Sequence, residues 1–423
     1  MPANGQVGVV ITGIGAVSPF GVGRECYWEH VRRGVSGSRA ITQFDVSSYP
    51  CRVAAWVPPV SMEDSPALDG DADEEGHADP RRYSRAALFG VIAAREAWRD
   101  AGLRAGEANA AVLIGSGGGG IDVGEKQYED FFTMGGRHVT PYAIALGICG
   151  MVSSEISIAL RLRGFSHVLS CGCTSSTDAL GYAASLIRSG EYEAILSGGT
   201  DGCVLPGMIF GFSRMRAVST HYNDRPAEAS RPFDRGRDGF VLGEGAWMFA
   251  LEREDRAMAR GATRYARIEG YASTCDAYHR VQMDPDGVEI VRCIETALER
   301  AHRRPEDIGY INYHGTSTQL NDAIESRCVR RVFGRHADSV PGSSTKSMIG
   351  HPQGASGAAG VAVTALALSR GVLPPTINLD DQDPACDMDF IPNTARPVEV
   401  DAALCNCLGF GSKNSALVLG RAR

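Results

Sequence analysis

The sequence predicts a layered α/β fold with buried sheets, and three observations predict it. Short apolar or β-branched runs, most of them followed by glycine or a polar turn, recur along the chain. Amphipathic helical patterns lie between several of these runs. The 423 residues, 43% hydrophobic and 22% charged, suffice for one large domain or about two to three average ones, and exclude a disordered or collagen-like chain.

The elements follow in order. Residues 8–14 (GVVITGI) read as a buried strand, and the same signature returns at 111–114, 167–170, 194–197, 248–251, 310–313 and 416–419. Helical patterns occupy 82–101, 178–189, 287–301 and 357–368. This alternation puts helices on the faces of sheets. Residues 60–80 differ: eight carboxylates between Glu63 and Asp79, with prolines and glycines, mark a solvated surface insertion. Near 252–265 a charged helix precedes a new strand at 266–271. The chain divides there into two similar halves, 1–258 and 259–423.

The charge balance, 42 basic against 50 acidic side chains for a net charge of −8, argues against a nucleic-acid binder. No apolar stretch reaches the ~18 residues of a membrane span, and the N-terminus lacks a leader pattern, so a cytoplasmic protein without membrane contact is expected. The 12 cysteines have no regular spacing and read as reduced thiols. No metal is expected either, because Cys171-Gly-Cys173 and Cys405-Asn-Cys407 lack the pairing and neighbouring histidines of zinc sites. The 51 glycines gather at 115–120, 198–199 and 409–411, where close backbone approach suggests chemistry.

Cys173 is the candidate nucleophile. It follows the strand at 167–170 and precedes Thr174-Ser175-Ser176-Thr177-Asp178, a run of helix-capping residues. At a helix N-terminus the macrodipole favours thiolate, and free N–H groups can hold an oxyanion. On local context alone a buried cysteine acting as a small hydrophobe is an equal alternative.

Cys173-Thr-Ser, Asp178-Ala-Leu-Gly-Tyr-Ala and Ser197-Gly-Gly-Thr-Asp together resemble the nucleophile region of the β-ketoacyl synthases, the condensing enzymes of fatty acid and polyketide assembly. The resemblance spans nearly the whole chain. It includes Val9-Val-Ile-Thr-Gly-Ile-Gly, Arg231-Pro-Phe-Asp, Asp238-Gly-Phe-Val-Leu-Gly-Glu-Gly, Asp276-Ala-Tyr-His, His314-Gly-Thr-Ser-Thr, Ser344-Thr-Lys-Ser-Met-Ile-Gly-His351 and Gly409-Phe-Gly. It implies the thiolase fold: two duplicated halves in a five-layered α/β/α/β/α structure that dimerises.

The resemblance also implies roles. His314 and His351 would hold a thioester enolate, for which two neutral imidazole N–H donors at strand ends are suited. Lys346 would orient the site and pair with Glu325, although Asp322-Ala-Ile-Glu is also a capping-box spacing at a helix start. Phe410 would gate the site and share the oxyanion hole with the backbone N–H of Cys173. Thr316 and Thr318 would meet a pantetheine arm, or else cap backbone groups. Gly118, where relatives carry glycine or a bulky aliphatic residue, would leave room for a different acyl chain. Arg81, Arg82, Arg137, Arg214 and Arg216 would dock an acidic acyl carrier protein. The implied reaction is ping-pong condensation of malonyl carrier protein with an acyl chain on Cys173, with no metal or redox cofactor.

The chain departs from the family pattern in places. Cys407, Leu408 and Ser412 replace a serine, a phenylalanine and a glycine near the gate, and Val281 stands where a threonine is frequent. Cys407-Leu-Gly-Phe-Gly also fits a thiolase motif, but thiolases lack the His314 and Lys346 motifs, so Cys407 is read as a packing residue. A non-catalytic chain-length factor would lack Cys173. The reading is an active synthase subunit, in a polyketide pathway or in fatty-acid elongation, paired with itself or with a chain-length factor.

Overall fold

The computed structural model describes residues 7–69 and 82–422. Among the described residues eleven strands share one sheet, and its path contains one five-strand pattern twice. The first copy runs Ser166–Leu169, Ala110–Gly115, Ala194–Asp201, Gly245–Arg253, Val9–Ser18. The second runs Gly342–Ser343, Tyr310–Asn312, Ala402–Gly409, Lys413–Gly420, Ala266–Cys275. In each copy the first three strands are parallel and the last two antiparallel to their predecessors. The copies meet where Val10 and Ile11 pair with Arg267 and Ala266, and Gly21–Val22 folds back on the first strand.

Five layers result. Helices Ser175–Arg188 and Ser356–Arg370 lie between the two halves of the sheet and touch strands of both. Helices Arg85–Asp100 and Met151–Leu160 cover one outer face, and Val288–Ala301 and Gln319–Phe333 the other. The sequence explains the placement. Ser356–Arg370 is built from alanine, valine, leucine and glycine on every side and is buried from Ser356 to Leu368, as a helix without a polar face must be. Val288–Ala301 instead alternates an apolar face, Ile290, Val291, Ile294, Ala297 and Leu298, with charged residues. The inner helices touch where they begin: a Cβ on Gly357 would lie 1.8 Å from Thr177 Oγ1, and the Ala358 N–H donates to Ser176 Oγ at 2.9 Å.

Every strand and helix read from the sequence forms, most strands with longer bounds. Strand Ala402–Gly409 and helices Ile121–Met134, Met151–Leu160 and Gln319–Phe333 are additional. In the acidic segment, Met62–Asp64 is a helical turn closed by a Ser61–Asp64 capping box, while residues 70–81 lie outside the described part. All twelve cysteines are free. Among the described residues no helix is long and apolar enough to cross a membrane.

Candidate active site

The loops that leave the carboxyl ends of the parallel strands and enter the inner helices converge on one point. There Cys173 Sγ and one ring nitrogen each of His314 and His351 all lie within 4.8 Å of one another, and all three residues are buried. Cys173 stands two residues before helix Ser175–Arg188, behind Thr174 at the N-cap. His314 follows strand Tyr310–Asn312 as expected. His351 does not end a strand. It follows the one-turn helix Lys346–Ile349, where Gly350, at φ 65°, turns the chain so that the His351 N–H donates to Val241 O at 2.7 Å. The two imidazoles stand nearly perpendicular with ring centroids 5.3 Å apart, and Ser356 Oγ shares a 2.8 Å hydrogen bond with His351 Nδ1.

Burial governs the resting electrostatics. It pushes the Cys173 thiol up to about 11, outweighing the Phe410 N–H and the Lys346 charge that act in the other direction. The expected helix-activated thiolate is therefore not the resting form. Burial, then Lys346, hold both imidazoles well below their ordinary range, with each ring neutral; His351 adds to the effect on His314. One lysine thus favours thiolate at Cys173 and neutrality at both histidines.

Asp322 and Glu325 do not open a helix, as the capping-box spacing suggested. Helix Gln319–Phe333 starts earlier, and the carboxylates reach from its first two turns to the histidine loop. Glu325 accepts the N–H groups of His314 at 2.7 Å and Gly315 at 2.8 Å; Asp322 accepts that of Thr316 at 2.9 Å. Burial pushes the Glu325 carboxyl up to about 7. Lys346 acts on Glu325 across space, not as the direct pair the family resemblance implied.

A cavity of about 80 Å³ opens onto the three residues, walled by Thr316, Thr318, Phe410, Phe240, Val281, Met283, Leu320 and Leu408. The Thr316 and Thr318 hydroxyls bond each other at 2.9 Å, and Thr318 makes no side-chain cap. Phe410 is bracketed by Phe212, whose ring centroid is 6.5 Å away and which packs on Phe240 at 5.2 Å. Ser412 explains one departure from the family pattern. At φ 64° it takes the position of a glycine, and its hydroxyl accepts the N–H groups of Tyr278 and His279 and donates to His279 O at 2.9 Å, anchoring the turn after Phe410. Cys407 is fully buried, lies outside the cavity wall and donates its thiol hydrogen to Cys173 O at 3.0 Å.

Two expectations change. Gly118 leaves no free space, because a Cβ there would lie 2.7 Å from Cys203 Sγ and 3.1 Å from Ile121, and Gly118 is not in the cavity wall. Of the docking arginines, Arg82 is engaged with Glu155 at 3.3 Å, Arg137, Arg214 and Arg216 are exposed, and Arg81 lies outside the described residues. Sequence reasoning missed Ser356, behind His351, and the part of Asp322 in holding the loop. Ser356 carried only the signal of a hydroxyl among small residues after a histidine.

Comparison with known proteins agrees with this geometry. The model for the N-terminal domain of β-ketoacyl synthase matches residues 7–257, and that for the C-terminal domain matches 265–380. The chain is 42% identical over 416 residues to a 3-oxoacyl-[acyl-carrier-protein] synthase 2 of Coxiella burnetii, covering 98% of both chains. It is 39% identical over 433 residues to the ketoacyl synthase alpha subunit of the tetracenomycin polyketide synthase of Streptomyces glaucescens, covering 100% of this chain and 99% of that one. The solved ishigamide ketosynthase/chain length factor superposes with a TM-score of 0.90 at 32% identity, covering 99% of this chain and 100% of that one. The chain belongs to the β-ketoacyl synthase family of condensing acyltransferases, with the thiolase-like fold of that family.

Proposed function

We propose that this chain condenses malonyl-carrier-protein thioesters with an acyl chain held on Cys173. The Cys173 sulfur attacks an acyl thioester, its proton leaves with the carrier thiol, and acyl-enzyme forms. Malonyl thioester then loses CO2, and the resulting enolate, held by the N–H groups of His314 and His351, attacks the acyl carbonyl. Collapse of that adduct expels the Cys173 thiolate, which takes up a proton, and releases the 3-oxoacyl thioester. The observation that carries the reading is the meeting of one thiol with two neutral imidazoles within 4.8 Å. Neutral rings can hold the enolate oxygen without protonating its carbon early. Every step uses groups of this chain and its substrates alone. The test is Cys173→Ala, which abolishes acyl-enzyme by intact mass; a covalent acyl adduct forming at the normal rate refutes the assignment.

The pathway we favour is type II polyketide assembly, supported by the tetracenomycin and ishigamide relatives. Fatty-acid elongation is the second reading, favoured by the Coxiella burnetii relative. Whether the subunit partner is a second copy or a chain-length factor separates the two. The surface offers a place for either. Tyr128, Phe131, Phe132 and Met134 of helix Ile121–Met134 are exposed, as are Tyr142, Ile144 and Ile148, and among the described residues strand Ser166–Leu169 is the last of the sheet on its side. Native mass spectrometry after co-expression with a synthase-like chain lacking the nucleophile, followed by product analysis, distinguishes them: a heterodimer making unreduced poly-β-keto product supports the first reading, and an active homodimer making single-extension product supports the second. The acidic carrier protein would dock on Arg214 and Arg216 at the end of helix Pro206–Arg214, which reaches the gate through Phe212.

A further inference from the structure

Asp201 ends strand Ala194–Asp201 with no exposed surface, and the chemistry above makes no use of it. Its Oδ1 accepts the Ser116 hydroxyl at 2.9 Å and the Gly118 N–H at 2.8 Å; its Oδ2 accepts the Gly117 N–H at 2.9 Å and the Gly354 N–H at 2.6 Å. Among the described residues no cation pairs with it. A buried carboxylate is costly unless its oxygens are satisfied, and here neutral donors from two distant loops satisfy it.

We propose that Asp201 is a positioning residue of the condensing site, clamping the glycine loop 116–118 onto the turn Gln353–Ala355 and so holding His351 against Cys173. The proposal rests on the condensation reading. Gly354 lies between His351 and Ser356, whose hydroxyl bonds His351 Nδ1 at 2.8 Å. The carboxylate therefore fixes the short segment that carries the imidazole and its hydroxyl partner. The approach is close enough to exclude a side chain, since a Cβ on Gly354 would lie 2.3 Å from Gly117 N. On the other side of the clamp the glycine loop continues from strand Ala110–Gly115, which packs on the nucleophile helix. Positioning matters because small displacements of reacting groups cost rate steeply.

A charge effect supports the assignment. Cys173 faces Lys346, Asp201, both histidines and Cys407. Of the two ionic groups, Asp201 raises the thiol and Lys346 lowers it. Removing the carboxylate charge must therefore make Cys173 more acidic, which a purely structural strut would not do.

The experiment uses Asp201→Asn in the full chain, nearly isosteric but presenting an N–H2 group to donors that need an acceptor. Condensation of acyl and malonyl carrier-protein thioesters is expected to fall roughly tenfold or more. The pH profile of Cys173 alkylation by iodoacetamide moves to lower pH. Rates and profile like those of the unmodified chain overturn the proposal. So does a loss of rate with an unshifted profile, which would make Asp201 a strut only. If Asp201→Asn does not fold, Ser116→Ala removes one donor and keeps the charge. It should lose roughly threefold in condensation with an unmoved alkylation profile, and an undiminished rate overturns the proposal. Should the unmodified chain fail to condense malonyl thioesters, the proposed reaction falls, and the alkylation shift still decides the role of Asp201.

Discussion

In the N-terminal half the inner helix is entered from Cys173, whereas in the C-terminal half the equivalent helix is entered from the loop that carries His351. The strand before each loop occupies the same place in its five-strand pattern. The second parallel strand of each copy differs likewise: Ala110–Gly115 runs into a glycine loop, Tyr310–Asn312 into His314 backed by Glu325. The third strand ends on Asp201 in one copy and is followed by Phe410 in the other. One topology has been furnished twice, with the Cys173 thiol on one side and two neutral imidazoles, Lys346 and Phe410 on the other. The difference teaches that the backbone supplies converging loop ends, and that the chemistry depends on which residues stand on them.

If the halves divide the work, acylation in the intact chain should need the thiol but not the histidines, and decarboxylation should need both. His314→Ala tests the division most severely. Condensation should fall about a hundredfold or more while acyl-enzyme still forms by mass, and equal loss of both steps would merge the two roles. Lys346→Met acts on both halves at once. With the positive charge gone, the thiol rises further above about 11 and the imidazoles rise toward their ordinary range, so the alkylation profile of Cys173 moves to higher pH and condensation drops roughly tenfold. An unmoved profile would remove Lys346 from the electrostatics of the thiol.

Arg216→Glu probes the outer surface of the N-terminal half. It should raise the Michaelis constant for carrier-protein substrates several-fold and leave small thioester analogues untouched, and equal effects on both would take Arg216 off the docking face. The smallest effect belongs to Cys407→Ser, where the C-terminal half touches the nucleophile loop. The serine hydroxyl can donate to Cys173 O as the thiol does, so activity should stay within about twofold. Complete loss of activity would give Cys407 the proton-transfer role of a thiolase cysteine.

Most of the strands and both inner helices were legible because apolar runs closed by glycine and apolar helix faces are local patterns. Cys173, His314 and His351 were legible by resemblance to a family, not by spacing. What stayed hidden depends on contacts far apart in the chain. Asp201 closes the Ser197-Gly-Gly-Thr-Asp motif, but its donors lie 83 to 153 residues away and the motif does not reveal them. Glu325 looked like part of a helix cap because three-residue spacing is ambiguous between a cap and an interior face, and only the folded loop shows which backbone it serves. The thiol was misjudged for a related reason. A helix N-terminus is visible in sequence, but the desolvation that outweighs it arises only when both halves close over Cys173. At Gly118 the neighbour that fills the space, Cys203, comes from the loop after another strand.

The contact of Gly357 with Thr177 bears on how the molecule can be taken apart. Because each inner helix is seated against the start of the other, neither half holds its share of the site in working order alone. Turnover is thus a coincidence signal, present only when both halves are folded and docked. A chain severed in the exposed turn at 260–261 should be silent as separate fragments and should recover activity on reassociation, making catalysis itself the most sensitive readout of whether the two repeats have found each other.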